Sequence, residues 1–372
     1  MIYLDHNSTT FLNQKVLEAL KPYADSLPLN PSSVHQYGRE ARALFEEARF
    51  GVINSLNASN YNLVFTSSGT EGNNLVLKNF YQDQIIISAI EHLSVYEHIK
   101  YNDNISLIPI NDQGLVDLEA LEQALKNRKN SRALVSIIYA NNETGVIQNL
   151  TEIIKIVRDY EALIHSDFSQ AVGKMHVNLN NYDLDFVTIS GHKFGSMVGI
   201  GGLFYKKSHH LIPDMIGGGQ EKGMRSGTQN VLGALSMAIA LEDAILDLKE
   251  EYIQDLRDTL EQKILDFDPE VQIASNKALR LPNTSMIIMP GCQSQKQIVY
   301  FDLNGFAVSA GSACSSGKIT SSRVLEAMNY GVDSACGIRV SLAKTNTMDE
   351  IENFAHSWNK LYKRQITSTG TQ

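Results

Sequence analysis

Phe186-Val187-Thr188-Ile189-Ser190-Gly191-His192-Lys193 is the stretch on which the reading of this chain turns. Its first four residues are apolar or β-branched and read as a buried strand. A lysine follows just past the strand. Lysine is ordinarily a solvated surface residue. Held in a partly dry site, its amine loses affinity for the proton and becomes a nucleophile able to form a Schiff base. Small Ser190 and Gly191 leave room for something bulky beside it. A surface lysine closing a strand would read the same way, so the rest of the chain has to decide.

The 372 residues suffice for about two domains of ~150 residues each. With 43% hydrophobic residues a large core is expected and disorder is not. A net charge of −9 argues against nucleic acid as the main partner. Basic residues are scattered, and no apolar run approaches the ~18 residues of a membrane helix. Met1 leads straight into Ile2-Tyr3-Leu4, a strand-like start, so no leader peptide is expected. Cys292, Cys314 and Cys336 are few and odd in number, which fits a reducing cytoplasm. Their spacing has no metal-ligand logic, and no metal site is expected.

The middle of the chain alternates. Strands are expected at 62–65, 85–90, 133–139, 162–165 and 186–189. Helices are expected at 70–80, 117–129 and 152–160. This alternation implies an α/β layer with a mainly parallel sheet, whose ligands sit beyond the carboxyl ends of the strands. A long helical stretch at 231–267 reads as a crossing between domains. Beyond it, strands at 285–289, 307–309 and 338–342 and helices at 295–303, 322–328 and 349–362 suggest a smaller α+β domain, joined by the N-terminal strand. The polar tail 367–372 is expected to be disordered.

Unusual residues fall where strands end. Thr66-Ser67-Ser68-Gly69-Thr70-Glu71 opens a helix, and its N–H groups suit a phosphate or an ordinary cap. Asp167, with Gln170 just after it, is a strand-end carboxylate that needs a cationic or N–H partner. His92 and Asn142 follow two further strands, where capping or turn roles are the plain alternatives. A phosphate cradle, a carboxylate, a flat ring, neutral hydrogen bonders and a lysine together match the needs of pyridoxal 5′-phosphate. The lysine forms the Schiff base, and the carboxylate keeps the ring nitrogen protonated. Cys314 stands in Ala310-Gly311-Ser312-Ala313-Cys314-Ser315-Ser316-Gly317, a setting of small residues that disfavours burial and suits a loop-borne thiol nucleophile. Cys292 and Cys336 lack that context and read as inert. Arg339, inside Gly337-Ile338-Arg339-Val340-Ser341, needs a partner. A substrate carboxylate and a structural acid both remain open.

Taken in order, these motifs resemble the cysteine desulfurases of the NifS/IscS type, fold-type-I pyridoxal-phosphate enzymes related to class V aminotransferases. The resemblance runs from Tyr3 to about Tyr362. It rests on Tyr3-Leu4-Asp5-His6-Asn7-Ser8-Thr9-Thr10, Asn30-Pro31-Ser32-Ser33 with His35, the 66–71 turn, Glu91-His92, Asn141-Asn142-Glu143 and Asp167 with Gln170. It continues through the 190–193 stretch, Gly217-Gly218-Gly219-Gln220-Glu221, Arg225-Ser226-Gly227-Thr228, Gly311-Ser312-Ala313-Cys314 and Ile338-Arg339. It implies a large cofactor-binding domain at 13–255 with a mainly parallel seven-stranded sheet. A small domain, 1–12 with 256–372, would carry the Cys314 loop.

The resemblance also implies roles. Lys193 would bind the cofactor aldehyde and shuttle the α-proton. Asp167 would meet the ring nitrogen, His92 would stack on the ring and serve the thiol step, and Gln170 would bond the phenolic oxygen. Asn142 would lie near ring and substrate. Ser68, Gly69, Thr70, Ser190 and His192 would hold the phosphate, with Thr228 reaching a neighbouring subunit's phosphate in a homodimer. Arg339 would bind the carboxylate of L-cysteine. Cys314 would take the substrate sulfur, leaving L-alanine and a persulfide for an acceptor protein such as an iron–sulfur scaffold, with transient contact between Cys314 and a partner's cluster admitted. The implied activity serves iron–sulfur cluster or thio-cofactor synthesis in the cytoplasm. A selenocysteine lyase or a class V aminotransferase is the alternative, and a transaminase has no need of Cys314. Two departures stand out. Phe194-Gly195-Ser196-Met197-Val198-Gly199 replaces the usual Gly-Pro-Lys-Gly type of loop. The chain also ends at Gln372, short of the extension that housekeeping members use in docking a scaffold, while the 309–318 loop looks like the longer, mobile type.

Overall fold

The computed structural model describes residues 1–129, 132–311 and 321–369, so Cys314 lies outside the described residues. The chain opens on β1 (Ile2–Tyr3). Then come β2 (Tyr61–Thr66), β3 (Gln84–Ser88), β4 (Ile105–Ile108), β5 (Ala133–Ile138), β6 (Leu163–Asp167), β7 (Phe186–Ser190) and β8 (Gly201–Lys206). These seven form one sheet in the order β2-β8-β7-β6-β5-β3-β4. β8 runs antiparallel to both its neighbours, and the other pairs are parallel.

Side chains of successive strand residues point to opposite faces. Ile85 and Ile87 therefore join one apolar cluster, with Leu134, Phe186 and Leu203. Ile86 joins another, with Val135, Val187 and Phe204. A parallel sheet needs both faces covered, and helices supply the cover. Helix Leu150–Asp159 shows the local logic. Asn149 caps its start, Ile153, Ile154 and Val157 form its buried stripe, and Arg158 sits in its last turn, where a cation suits the dipole.

The remaining strands are β9 (Gln272–Ile273), β10 (Thr284–Ile288), β11 (Phe306–Ala307) and β12 (Gly337–Ser341). β12, β10 and β9 make an antiparallel sheet, and β1 pairs with β11 in parallel. A separate apolar cluster forms here around Leu4, Leu256, Ile287, Ile338, Phe354 and Trp358. The N-terminal strand thus joins the C-terminal part of the molecule. Asp5 extends the connection with a bridge to Ser341. Among the described residues no helix is long and apolar enough to cross a membrane.

The structure departs from the sequence reading in several places. The stretch 231–267 is two helices, Val231–Leu246 and Glu250–Phe267. They part at Lys249, which takes a left-handed φ of 53° that no continuous helix tolerates. Glu250 and Glu251 then begin the second helix, where acids suit the positive end of the dipole. Helix Met348–Thr369 runs on into the tail expected to be disordered. The expected strand at 307–309 ends at Ala307, and Ser309 makes only an isolated bridge, to Arg339. The reading passed over β4, β8 and the helices Gln14–Ser26 and Gln36–Ser55. Of these β8 matters most, because it lies beside β7 and under the turn that opens helix Gly69–Lys78.

A Cβ placed on Gly201 would stand 2.5 Å from the Ser68 carbonyl carbon and 2.8 Å from Thr66 Oγ1. The close approach of β8 to the 66–69 turn therefore depends on a residue without a side chain. Gly201→Ala is expected to destabilise the fold by about 1–3 kcal/mol through overpacking, measured by urea unfolding. Gly51 is the control. A methyl there meets Ala238 Cβ at an ordinary 3.5 Å within a helix, so Gly51→Ala should be neutral or stabilising by up to about 1 kcal/mol.

Candidate active site

The carboxyl ends of the parallel strands open into a cavity of about 380 Å³. β7 ends at Ser190, and one short turn, Gly191–Lys193, carries the lysine into the cavity wall. Lys193 Nζ donates to the carbonyl oxygens of Asn7 and Ser8, at 2.7 Å each. Neutral carbonyls do not repay the desolvation of an ammonium as a carboxylate would. Burial first, and the Arg339 guanidinium second, pull the amine's pKa down to about 8.

Asp167 closes β6 and is buried. Its Oδ2 accepts from Asn73 Nδ2 at 2.8 Å and its Oδ1 from the Ser169 N–H at 2.9 Å. Of the partner types the sequence left open, the structure supplies neutral N–H donors. Asn73 Nδ2 also donates to Ser94 Oγ at 2.8 Å, and that hydroxyl lies 2.7 Å from His92 Nδ1. His92 Nδ1 accepts the Ser94 N–H at 3.1 Å, which leaves the ring proton of the neutral imidazole to Nε2. The surrounding protein lowers the His92 pKa by desolvation, against the pull of Asp167. Asn73 thus ties Asp167 to His92, and it lies inside helix Gly69–Lys78, where nothing in the sequence marks it.

Ser68 caps that helix by accepting the Glu71 N–H at 3.2 Å. The helix has ten residues, and its first N–H groups have no partners within it. Ser68, Gly69, Thr70, Ser190 and His192 all line the cavity. A Cβ on Gly69 would meet Ser169 Oγ at 3.0 Å and Ser190 Cβ at 3.3 Å, so the helix starts as close to β7 as a glycine allows. Glu71 accepts the Ser67 N–H at 2.7 Å and pairs with Arg225 at 2.9 Å, which steadies the turn from outside. Burial and the cation of Lys193 lower His192 to about 4, so it stays neutral near pH 7.

Gln170 and Asn142 line the same cavity. The Asn142 carbonyl oxygen accepts from Arg339 at 2.9 Å and from Asn7 Nδ2 at 3.3 Å. Arg339 lines the cavity too, from β12. In this structure it meets Asp5 at 2.6 Å, with Ser8 Oγ at 3.0 Å. Its Nε is buried and has no hydrogen-bond partner among the described residues. Thr228 is exposed and is not among the residues lining this cavity. Cys314, outside the described residues, cannot be placed against the others.

Polar residues to which the sequence reading gave no role complete the wall. Burial raises Glu91 to about 8, and it accepts from Ser88 Oγ and the Ile138 N–H, latching β3 to β5. Glu143 is likewise buried and raised, and it accepts from Ser322 Oγ. Arg323 donates to the carbonyls of Ala89 and Glu91 and lies over the Tyr96 ring, 3.7 Å from its centroid. Glu91 and Glu143 had a faint signal as acids beside His92 and Asn142. Arg323 had none.

The lowered amine of Lys193 leads to a measurable consequence. Acetic anhydride should modify Lys193 in the cofactor-free protein with a midpoint near pH 8 rather than near 10.5. Arg339→Gln removes a repelling cation and should raise that midpoint, read by mass spectrometry of the peptide. A midpoint near 10.5 in the unaltered chain would overturn the assignment.

The aminotransferase class-V family matches residues 2–354. The cysteine desulfurase IscS of Dictyoglomus turgidum is 36% identical over 363 residues, which cover 94% of this chain and 91% of that protein. Cysteine desulfurase 2 of Trichormus variabilis is 37% identical, covering 95% of this chain and 90% of its own length. The X-ray structure of a NifS-like protein from Rickettsia africae superposes with a TM-score of 0.92 at 44% identity, covering 98% of this chain and 99% of that one. The sheet order, the cleft and these relatives together show that the chain belongs to the class-V aminotransferase family, and within it to the cysteine desulfurases.

Proposed function

We propose that the protein is a pyridoxal-phosphate-dependent cysteine desulfurase, converting L-cysteine to L-alanine and a persulfide on Cys314. The observation that carries this reading is the convergence of three groups on one cleft. They are a lysine with lowered proton affinity, a buried carboxylate that accepts from N–H donors, and a helix N-terminus. The donor set fits the cofactor. The first turn of helix Gly69–Lys78, with Ser190 and His192, would hold a phosphate, and the tight approach at Gly69 makes that cradle. Asp167 would meet the ring nitrogen, Gln170 the phenolic oxygen, and His92 the ring face. Bound there, pyridoxal phosphate supplies an electron sink for charge developing at the substrate α-carbon.

The remaining chemistry belongs to the chain's own residues. With a pKa near 8, Lys193 is unprotonated in a useful fraction at neutral pH and takes and returns the α-proton. Arg339 would exchange Asp5 for the substrate carboxylate. Its Nε, unpaired among the described residues, supports this, because a bidentate carboxylate offers more than the present contact. His92, its Nδ1 occupied by Ser94, keeps Nε2 for proton exchange with a thiol. The Cys314 thiolate attacks the substrate sulfur. The substrate C–S bond breaks, an S–S bond forms on Cys314, and the carbon that loses sulfur gains a proton as alanine forms. The persulfide then passes to an acceptor protein for iron–sulfur cluster or thio-cofactor synthesis. Thr228, exposed on each subunit, would complete the partner's phosphate site in a homodimer. The separate apolar cluster around Leu4 and Phe354 supports a small domain at 1–12 and 256–372 beside a large one at 13–255.

Incubation with L-cysteine should leave one extra sulfur atom on Cys314, seen by mass spectrometry, and release alanine. Cys314→Ala should keep the visible cofactor absorbance and lose alanine formation by on the order of 10³-fold or more. Lys193→Ala should lose the borohydride-sensitive absorbance and turnover together. Full turnover in Cys314→Ala would overturn the acceptor role.

A further inference from the structure

Lys174 lies four residues beyond Gln170, in the turns after β6, and is only 7% exposed. Its Nζ donates to Asn7 Oδ1 at 2.6 Å and to Gln170 Oε1. Its charged neighbours include Lys193 and Arg339, both of which repel a proton on it, and Asp5, whose pull is weaker. Burial is the largest influence, and it holds the amine well below the usual lysine range. The two groups its amine meets are both amide oxygens, which can only accept.

A buried amine is a costly way to fill space. Methionine, similar in length, would avoid the desolvation. What methionine cannot do is donate to two amide oxygens. A side-chain amide is nearly symmetric in shape, so only its hydrogen-bond partners decide which end is oxygen and which is nitrogen. With Lys174 on Oε1, Gln170 turns its Nε2 to the Asn7 carbonyl oxygen, at 3.0 Å, on the wall that lines the cavity. The same carbonyl receives Lys193 Nζ. Lys174 therefore stands behind both the amide of Gln170 and the anchor of Lys193.

We infer that Lys174 is a positioning residue. By donating to Gln170 Oε1 it makes Gln170 present N–H rather than C=O to the cleft, and so selects a ligand with an acceptor oxygen at that wall. The inference rests on the cofactor reading above, in which that oxygen is the phenolic oxygen of pyridoxal phosphate.

A double-mutant cycle tests it. Full-length apo-protein is titrated with pyridoxal phosphate for the unaltered chain, Lys174→Met, Gln170→Ala and the double variant. Lys174→Met should bind about tenfold more weakly, the scale of one lost hydrogen bond in a dry site, while its thermal melting holds or rises. In the Gln170→Ala background the same change should cost nothing further. The pH midpoint of the visible absorbance should move up in Lys174→Met as it does in Gln170→Ala, with no further shift in the double variant, because losing a donor at its phenolic oxygen makes the bound cofactor a stronger base. Running the cycle again with the smaller Lys174→Leu guards against a packing fault. Equal losses in both backgrounds, or no loss in either, overturn the role of Lys174 and leave the cofactor reading standing. Failure of the unaltered chain to bind pyridoxal phosphate overturns both.

Discussion

Asn7 is the point on which the site depends. It is 1% exposed and sits where the N-terminal segment crosses from the β1–β11 pair to the mouth of the large sheet. Its carbonyl oxygen takes the amine of Lys193 and the amide of Gln170. Its side chain takes Lys174 and Asn283 on the oxygen and gives to Thr284 and Asn142 from the nitrogen. Its own N–H donates to Ser341 Oγ at 2.9 Å. One small residue thus ties β10 and β12 to the turns after β6 and β7. Buried polar groups left unpaired are expensive, so this network holds one arrangement wherever it is complete.

That network gathers more positive than negative charge. Lys193, Lys174 and Arg339 stand close together, with Asp5 the acid that meets Arg339 directly. The repulsion adds to burial in weakening the hold of both amines on a proton. Burial pulls Lys193 to about 8 and holds Lys174 well below the usual lysine range. Burial also raises Glu91, to about 8, so its carboxyl holds its proton near pH 7, and it raises Glu143 in the same direction. Desolvation therefore does most of the electrostatic work on amines and acids alike. Stability is spent to keep a nucleophilic amine available.

Much of this was legible in the order of residues. Apolar runs at β3, β5 and β7 stand out because both faces of those strands are buried, and β6 opens on the apolar pair Leu163 and Ile164. The functional side chains follow such runs directly, and so Lys193, Asp167, His92 and Asn142 could be picked out before any contact was known. β8 was not legible. Its start at Gly201 and Gly202 looks like a turn, and those glycines are there for the approach of Ser68 and Leu63. The break at Lys249 was hidden because helix Val231–Leu246 is apolar on nearly every side, which leaves little periodicity to interrupt.

The sequence alone determined the class of fold, the order of the strand-end motifs and the kinds of group they bring, because strand burial and chemical type are written locally. Only the tertiary structure decided who meets whom. Arg339 on Asp5, Asn73 on Asp167, and Lys174 between Gln170 and Asn7 join residues that are distant in the chain or carry no local mark. The same holds for proton affinity. Lys193, Lys174, Glu91 and His192 depart from their ordinary values because folding removes water from them, and how much water remains beside a side chain is a property of the assembled core.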